Sequence, residues 1–261
     1  MTTDLSDNSS PPEEQAVSKP STTVSPRRAV VAGALGNVME YYDFAVYGVL
    51  AVTLAPLFFP SHQPGVSVLS TLAVFGIAFV MRPIGGWYFG RLGDRNGRRR
   101  ALVITVVGMG LASGTVGVLP THNTAGTLAP VLLVLARLVQ GFAAGGEAAG
   151  STTYIGESVP PGKRGLFLSL SAMTITGSFA PAAAVVGLTA ASTTHAQMAS
   201  WGWRIPFLIS LPLTVFCLWA RLRLAETGEF EAMVDQREVV RSPLLRTLKE
   251  HHGALVRLSC I

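Results

Sequence analysis

Six apolar segments run through this chain, near 29–57, 67–90, 101–120, 127–154, 166–190 and 204–221. Each comes close to the ~20 apolar residues that cross a bilayer core as a helix. In hydrocarbon every backbone N–H and C=O needs a partner inside the protein, and a helix supplies its own. That length therefore dictates an all-α membrane protein, a six-transmembrane-helix bundle. The gaps are short, so successive helices are antiparallel neighbours. Composition agrees. Charged residues make up 13% of the chain, against about 25% in soluble domains, too few to cover a globule in water.

The regions flanking the bundle (27–223) differ in kind. Residues 1–26 are polar and rich in Ser, Thr and Pro, which predicts a disordered tail. They lack the basic start and apolar stretch of a secretory signal. Residues 224–250 are polar and charged, and 251–261 turn apolar again, like the truncated start of a seventh helix. The net charge of +5 does not point to nucleic acid, because the basic residues sit in short clusters between apolar runs. Two isolated cysteines, Cys217 and Cys260, make neither a disulfide framework nor a metal site.

Lys and Arg set the orientation. Arg27 and Arg28 precede the first segment, and Arg91, Arg95, Arg98, Arg99 and Arg100 follow the second. Lys163 and Arg164 follow the fourth, and Arg221 and Arg223 close the sixth. The alternate gaps carry no Lys or Arg. Only Arg204 departs from the pattern, beside Trp201 and Trp203 where an interfacial anchor is expected. The bias places the N-terminus and the segment after the sixth span in the cytoplasm, in a multi-pass protein of the cell's inner or plasma membrane. Small-xxx-small pairs, Gly86/Gly90, Gly110/Gly114, Gly141/Gly145 and Gly146/Gly150, mark expected close helix contacts, though a Gly-rich chain also yields them by chance.

Charges within the spans are the candidate functional residues. Glu40 and Asp43 fall mid-way along the first, three residues apart and so on one helical face. A carboxylate at that depth is protonated, paired, or lining a wet cavity, which makes the two a candidate proton site. The alternative is a structural pair that locks the helix to a neighbour. Arg137 sits near mid-depth in the fourth span with Gln140 one turn on. It stays charged, so it needs a carboxylate, an anionic ligand or water. Glu40, Asp43 and Arg137 are expected to form one interacting group, either a permanent salt bridge or one that opens to substrate or a proton. Arg82 and Glu147 lie nearer the cytoplasmic ends of their spans and are secondary candidates. Arg82 has the further option of snorkelling to the interface.

The loop after the second span reads Gly90-Arg91-Leu92-Gly93-Asp94-Arg95-Asn96-Gly97-Arg98-Arg99-Arg100. Its plain reading is a positive-inside anchor. A single acid among five arginines also suits charge-assisted hydrogen bonding. The spacing resembles the loop signature of the major facilitator superfamily. Three further stretches resemble its metabolite:proton symporter branch, which carries shikimate, 2-oxoglutarate, citrate and proline/betaine. They are Gly36-Asn37 with Glu40-Tyr41-Tyr42-Asp43-Phe44, Arg137-x-x-Gln140-Gly141 with Gly145-Gly146-Glu147, and Trp203-Arg204-Ile205-Pro206-Phe207. Tyr41 stands where a Trp is usual, and Gly228 where a Pro is usual.

The resemblance implies one half of a major facilitator fold, an inverted 3+3 repeat, working by alternating access with a second half. It implies proton-coupled symport of a small organic acid or zwitterion. Glu40, Asp43, Arg137 and Gln140 then belong to the proton and substrate cavity. Gly90, Asp94, Arg95, Gly97, Arg98 and Arg99 belong to a cytoplasmic gate. The implied partners are the lipid bilayer, the small-molecule substrate, and a C-terminal half or a second copy, with the proton as coupling ion and no cofactor, metal or nucleic acid. The competing reading is a truncated, non-transporting membrane protein or a scaffold half that depends on a partner. By itself the chain is expected to insert as six spans without transporting. An enzyme is not expected: no G-x-S-x-G, H-E-x-x-H or phosphate loop occurs, and the five histidines lie in loops or the tail.

Overall fold

The structure is a computed structural model, and it describes residues 26–223. Residues 1–25 and 224–261, with the expected tail, cytoplasmic segment and seventh-helix start, lie outside the described residues. Among the described residues, six helical stretches are long and apolar enough to cross a membrane. The first span is Pro26–Phe58, the second Pro64–Asn96 and the third Arg98–Val118. The fourth is Leu128–Ser158 and the sixth Arg204–Leu222. The fifth is two helices, Arg164–Gly177 and Phe179–Ser192, meeting at Ser178. Short helical turns fill the gaps at His122–Ala125, Pro161–Lys163, His195–Gln197 and Met198–Gly202. Among the described residues there is no strand.

Local chemistry explains these limits. The second span opens on Pro64, where a missing N–H costs nothing. It closes at Gly97, whose φ of 99° is open to glycine and strained for other residues. The chain turns there directly into the third span. The break in the fifth follows from Pro181, which has no N–H for the Gly177 carbonyl and whose ring crowds it. Pro56, Pro83 and Pro212 sit inside their helices, as membrane helices tolerate.

The six spans pack as two interlocked triplets. The first span lies along the fifth, and the fourth lies along the second, so the leading helix of each triplet packs on the middle helix of the other. The third and sixth pack on each other. This crossed arrangement is an inverted 3+3 repeat. The fourth span approaches the second most closely. A Cβ on Gly141 would overlap the Ala78 carbonyl, one on Gly145 the Arg82 carbonyl, and one on Gly85 the Phe142 carbonyl. In the second span Gly85 makes the tightest approach, and a Cβ on Gly86 of the expected Gly86/Gly90 pair would lie in ordinary contact with the Gly145 carbonyl. Gly90 faces open space, because its position turns away from the fourth helix. Gly110 and Gly114 admit Thr214 and Leu211 of the sixth span, and Gly146 admits the Phe89 ring.

Tyr47, Leu50, Leu54, Phe58, Leu133, Trp203 and Phe207 form the main apolar core. It tightens at the end of the bundle opposite the arginine-rich loop, where the Phe58 and Trp203 rings meet edge to face at 5.6 Å. Large apolar side chains such as Val52, Leu69 and Leu188 point outward. That surface is unsuited to water and suited to lipid.

Candidate functional site

Among the described residues, three ion pairs stand out inside the bundle. The innermost joins the first, third and fourth spans. Arg137 Nη1 stands 3.5 Å from Asp43 Oδ2. The same nitrogen donates to Gln140 Oε1 in a very close contact. Gln140 Nε2 donates to Ser113 Oγ at 2.8 Å, and Ser113 Oγ donates to Asp43 Oδ1 at 2.6 Å. The four groups form a closed ring, and all are buried. The Arg137 guanidinium also lies 3.7 Å from the centre of the Tyr47 ring, a cation–π contact in a place without water to compete. Tyr47 is itself fixed by donating to the Thr71 carbonyl at 3.0 Å.

The second pair joins the first two spans. Arg82 Nη2 stands 2.7 Å from Glu40 Oε1. The Glu40 side chain is fully buried, while that of Arg82 is 18% exposed. The guanidinium sits 4.4 Å from the Phe44 ring centre, 4.5 Å from that of Phe79 and 5.8 Å from that of Tyr41. Glu40 Oε2 is buried without a hydrogen-bond partner.

The third pair joins the fourth and sixth spans. Arg221 Nη2 meets Glu147 Oε1, and Thr105 Oγ1 donates to Glu147 Oε2 at 2.9 Å. The pair presses on the backbone of Gly36, where a Cβ would overlap both charged groups. Asn37 Nδ2, one residue on, donates to Ser171 Oγ at 2.9 Å and ties the first span to the fifth.

The expected single group of Glu40, Asp43 and Arg137 is therefore split. Asp43 and Arg137 meet; Glu40 pairs with Arg82. Each helical residue turns ~100°, so positions three apart still differ by ~60° in direction. Asp43 faces the third and fourth spans, and Glu40 faces the second. Arg82 and Glu147 do not sit apart at the end of the bundle, since each holds a partner in the interior. Arg82 is held by Glu40 and keeps a partial opening to the surface.

The loop motif lies at one end of the bundle. Asp94 Oδ1 is 2.7 Å from Arg98 Nη1 across one turn. Arg98 reaches on to Glu157 Oε1 on the fourth span, 3.2 Å from Nη2 and 3.3 Å from Nε. Arg99 Nη2 donates to the Leu222 carbonyl at 2.6 Å, fastening the loop to the end of the sixth span. Gly97 makes the turn, and its N–H donates to the Gly93 carbonyl at 3.1 Å. Arg95 is exposed beside Asn96 and Arg100. Ser113, Thr105, Glu157 and the pairing of Arg221 were missed in the sequence. An acid at the end of one span beside a basic loop is a signal that would have found Glu157. Hydroxyls in mid-span leave no such mark, because they also bond their own helix, as Thr71 does by donating to the Ser67 carbonyl.

Comparison with known proteins agrees with this fold. The sugar (and other) transporter family matches residues 29–256. The proline/betaine transporter of Escherichia coli K12 is 41% identical over 212 residues, covering 81% of this chain and 42% of the relative. The shikimate transporter of the same organism is 39% identical over 235 residues, 89% of this chain and 54% of the relative. Its alpha-ketoglutarate permease is 40% identical over 203 residues, 78% of this chain and 47% of the relative. Among solved structures, the inward-open xylose transporter XylE from E. coli superposes with a TM-score of 0.71 at 20% identity, over 90% of this chain and 56% of that one. A multi-pass transporter fold is thus defined, and the chain spans about half the length of the curated relatives it matches. It belongs to the sugar (and other) transporter family of the major facilitator superfamily, whose members are not enzymes.

Proposed function

We propose that this six-helix unit is one half of a proton-coupled symporter for a small organic acid or zwitterion, working by alternating access. The observation that carries the reading is the buried ring of Asp43, Arg137, Gln140 and Ser113. A carboxylate held there can exchange its ion pair for a proton, and that exchange changes what holds the first, third and fourth spans together. Rocking of one half against the other is the motion such a change would bias. The likeness to transporters of proline/betaine, shikimate and alpha-ketoglutarate supports the substrate class.

The second half is the implied partner, and the basic loop is the gate at the cytoplasmic end of an inner-membrane protein whose N-terminus is cytoplasmic. Asp94, Arg98 and Glu157 hold that gate within this half, and opening it requires Arg98 to release one of its two acids. The test is uptake of labelled proline, glycine betaine, shikimate and 2-oxoglutarate into proteoliposomes holding the whole carrier, with and without an inward proton gradient. Gradient-driven accumulation of at least one, abolished by Asp43→Asn, is the expected result. Accumulation by Asp43→Asn at the wild-type level would remove the proton role.

A further inference from the structure

The three internal arginines are not equivalent. Arg137 is fully buried and Arg221 is 1% exposed, and the carboxylate facing each has a second donor, Ser113 for Asp43 and Thr105 for Glu147. Arg82 differs on both counts. Its side chain is 18% exposed, and Glu40 holds it through one oxygen while the other has no hydrogen-bond partner. It is also framed by the Tyr41, Phe44 and Phe79 rings, and Phe79 is 45% exposed. Apart from the ion pair with Glu40, Arg82 Nε and Nη2 are buried without hydrogen-bond partners. A partly exposed cation with donors to spare over aromatic walls suits an anionic head joined to a compact organic body. An arginine edge turned to hydrocarbon at this depth is costly, so the opening is expected to face water or the other half rather than lipid.

From this geometry we infer that Arg82 is the residue that receives the carboxylate of the transported metabolite, and that Glu40 is a built-in competitor which the substrate displaces. This rests on the proposed transport function and names the anchoring residue within it. Arg137 is not that residue, because it is fully buried: Tyr47 covers its face, Asp43 and Gln140 hold Nη1, and its unpartnered Nε and Nη2 have no opening to the surface. A guanidinium matches a carboxylate through two parallel hydrogen bonds. Glu40 makes a single close contact, so a substrate able to make two has the advantage. The unpartnered Glu40 oxygen marks the cost of the resting pair.

The test is ligand binding by the whole carrier in nanodiscs, read by thermal shift and scintillation proximity. The probes are shikimate, 2-oxoglutarate, proline and glycine betaine, with shikimate methyl ester as the uncharged control. Arg82→Ala is expected to weaken every carboxylate that binds by about tenfold or more, and Arg82→Lys to restore part of the loss. Glu40→Gln is expected to tighten the same ligands by about tenfold, because the competitor no longer holds the arginine. Ester binding is expected to change in none of them. Carboxylate binding by Arg82→Ala at the wild-type level would overturn the assignment. So would weaker binding in Glu40→Gln, or equal losses of acid and ester. If the wild type binds none of the four acids, this assignment and the proposed substrate class both fall. If binding follows Arg82 while uptake ignores the proton gradient, only the proton coupling falls.

Discussion

Asp43 and Glu40 stand one turn apart on the same helix, and each meets an arginine, yet the two pairs are built differently. Asp43 lies in a closed ring, with Ser113 on one oxygen and Arg137 on the other, and the whole assembly is sealed beneath Tyr47. Glu40 has one contact, and its partner reaches the surface of the bundle. The difference teaches that depth in the membrane does not set how firmly a charge is held. The number of polar neighbours supplied by other helices does. A ring that satisfies each carboxylate oxygen holds until a proton takes the place of its ion pair, whereas a pair with an idle oxygen is open to exchange with another carboxylate.

That contrast can be broken by substitution, with unfolding followed by heat in detergent or lipid. The largest loss is expected for Asp43→Ala, about 3–5 kcal/mol, because it strands Arg137, a cation that cannot lose its proton and has no route to water. A smaller loss there than for Glu40→Ala would reverse the comparison. Ser113→Ala comes next, at about 2 kcal/mol, since it leaves both Asp43 Oδ1 and Gln140 Nε2 without partners. A neutral result would mean the ring is not a unit. Glu40→Ala is expected to cost only about 1 kcal/mol, because Arg82 keeps its aromatic contacts and its access to the surface. The smallest effect, below about 1 kcal/mol, is expected for Glu157→Gln at the partly buried end pair, where Arg98 keeps Asp94 as a second acid. Its signature should instead be faster proteolysis of the loop around Asn96, and unchanged cleavage there would argue against a fastening role.

How much of this was legible beforehand varies from residue to residue. The six spans follow from apolar length, and the meeting of Asp43 with Arg137 follows from two opposite charges at matched depth. The partner of Glu40 was not legible. Depth along a span can be counted from the sequence, but rotation about the helix axis cannot, and ~60° of rotation separates a neighbour on the second span from neighbours on the third and fourth. The same uncertainty of rotation hid that Gly85 is pressed harder than Gly86 and that Gly90 meets nothing. The role of Arg221 was obscured for another reason. A basic residue in the last turn of a span reads as an interfacial anchor, and only packing against the fourth helix brings it to Glu147.

By itself, then, the sequence determined the solvent, the number of crossings and the depth of each charge, because these depend on apolar length and on the cost of an unpaired backbone in hydrocarbon. Tertiary structure alone decided which charges pair and which arginine stays reachable. Those outcomes depend on the angle at which each helix presents its face, and that angle is fixed by close contacts such as Gly141 on the Ala78 carbonyl and Gly145 on that of Arg82.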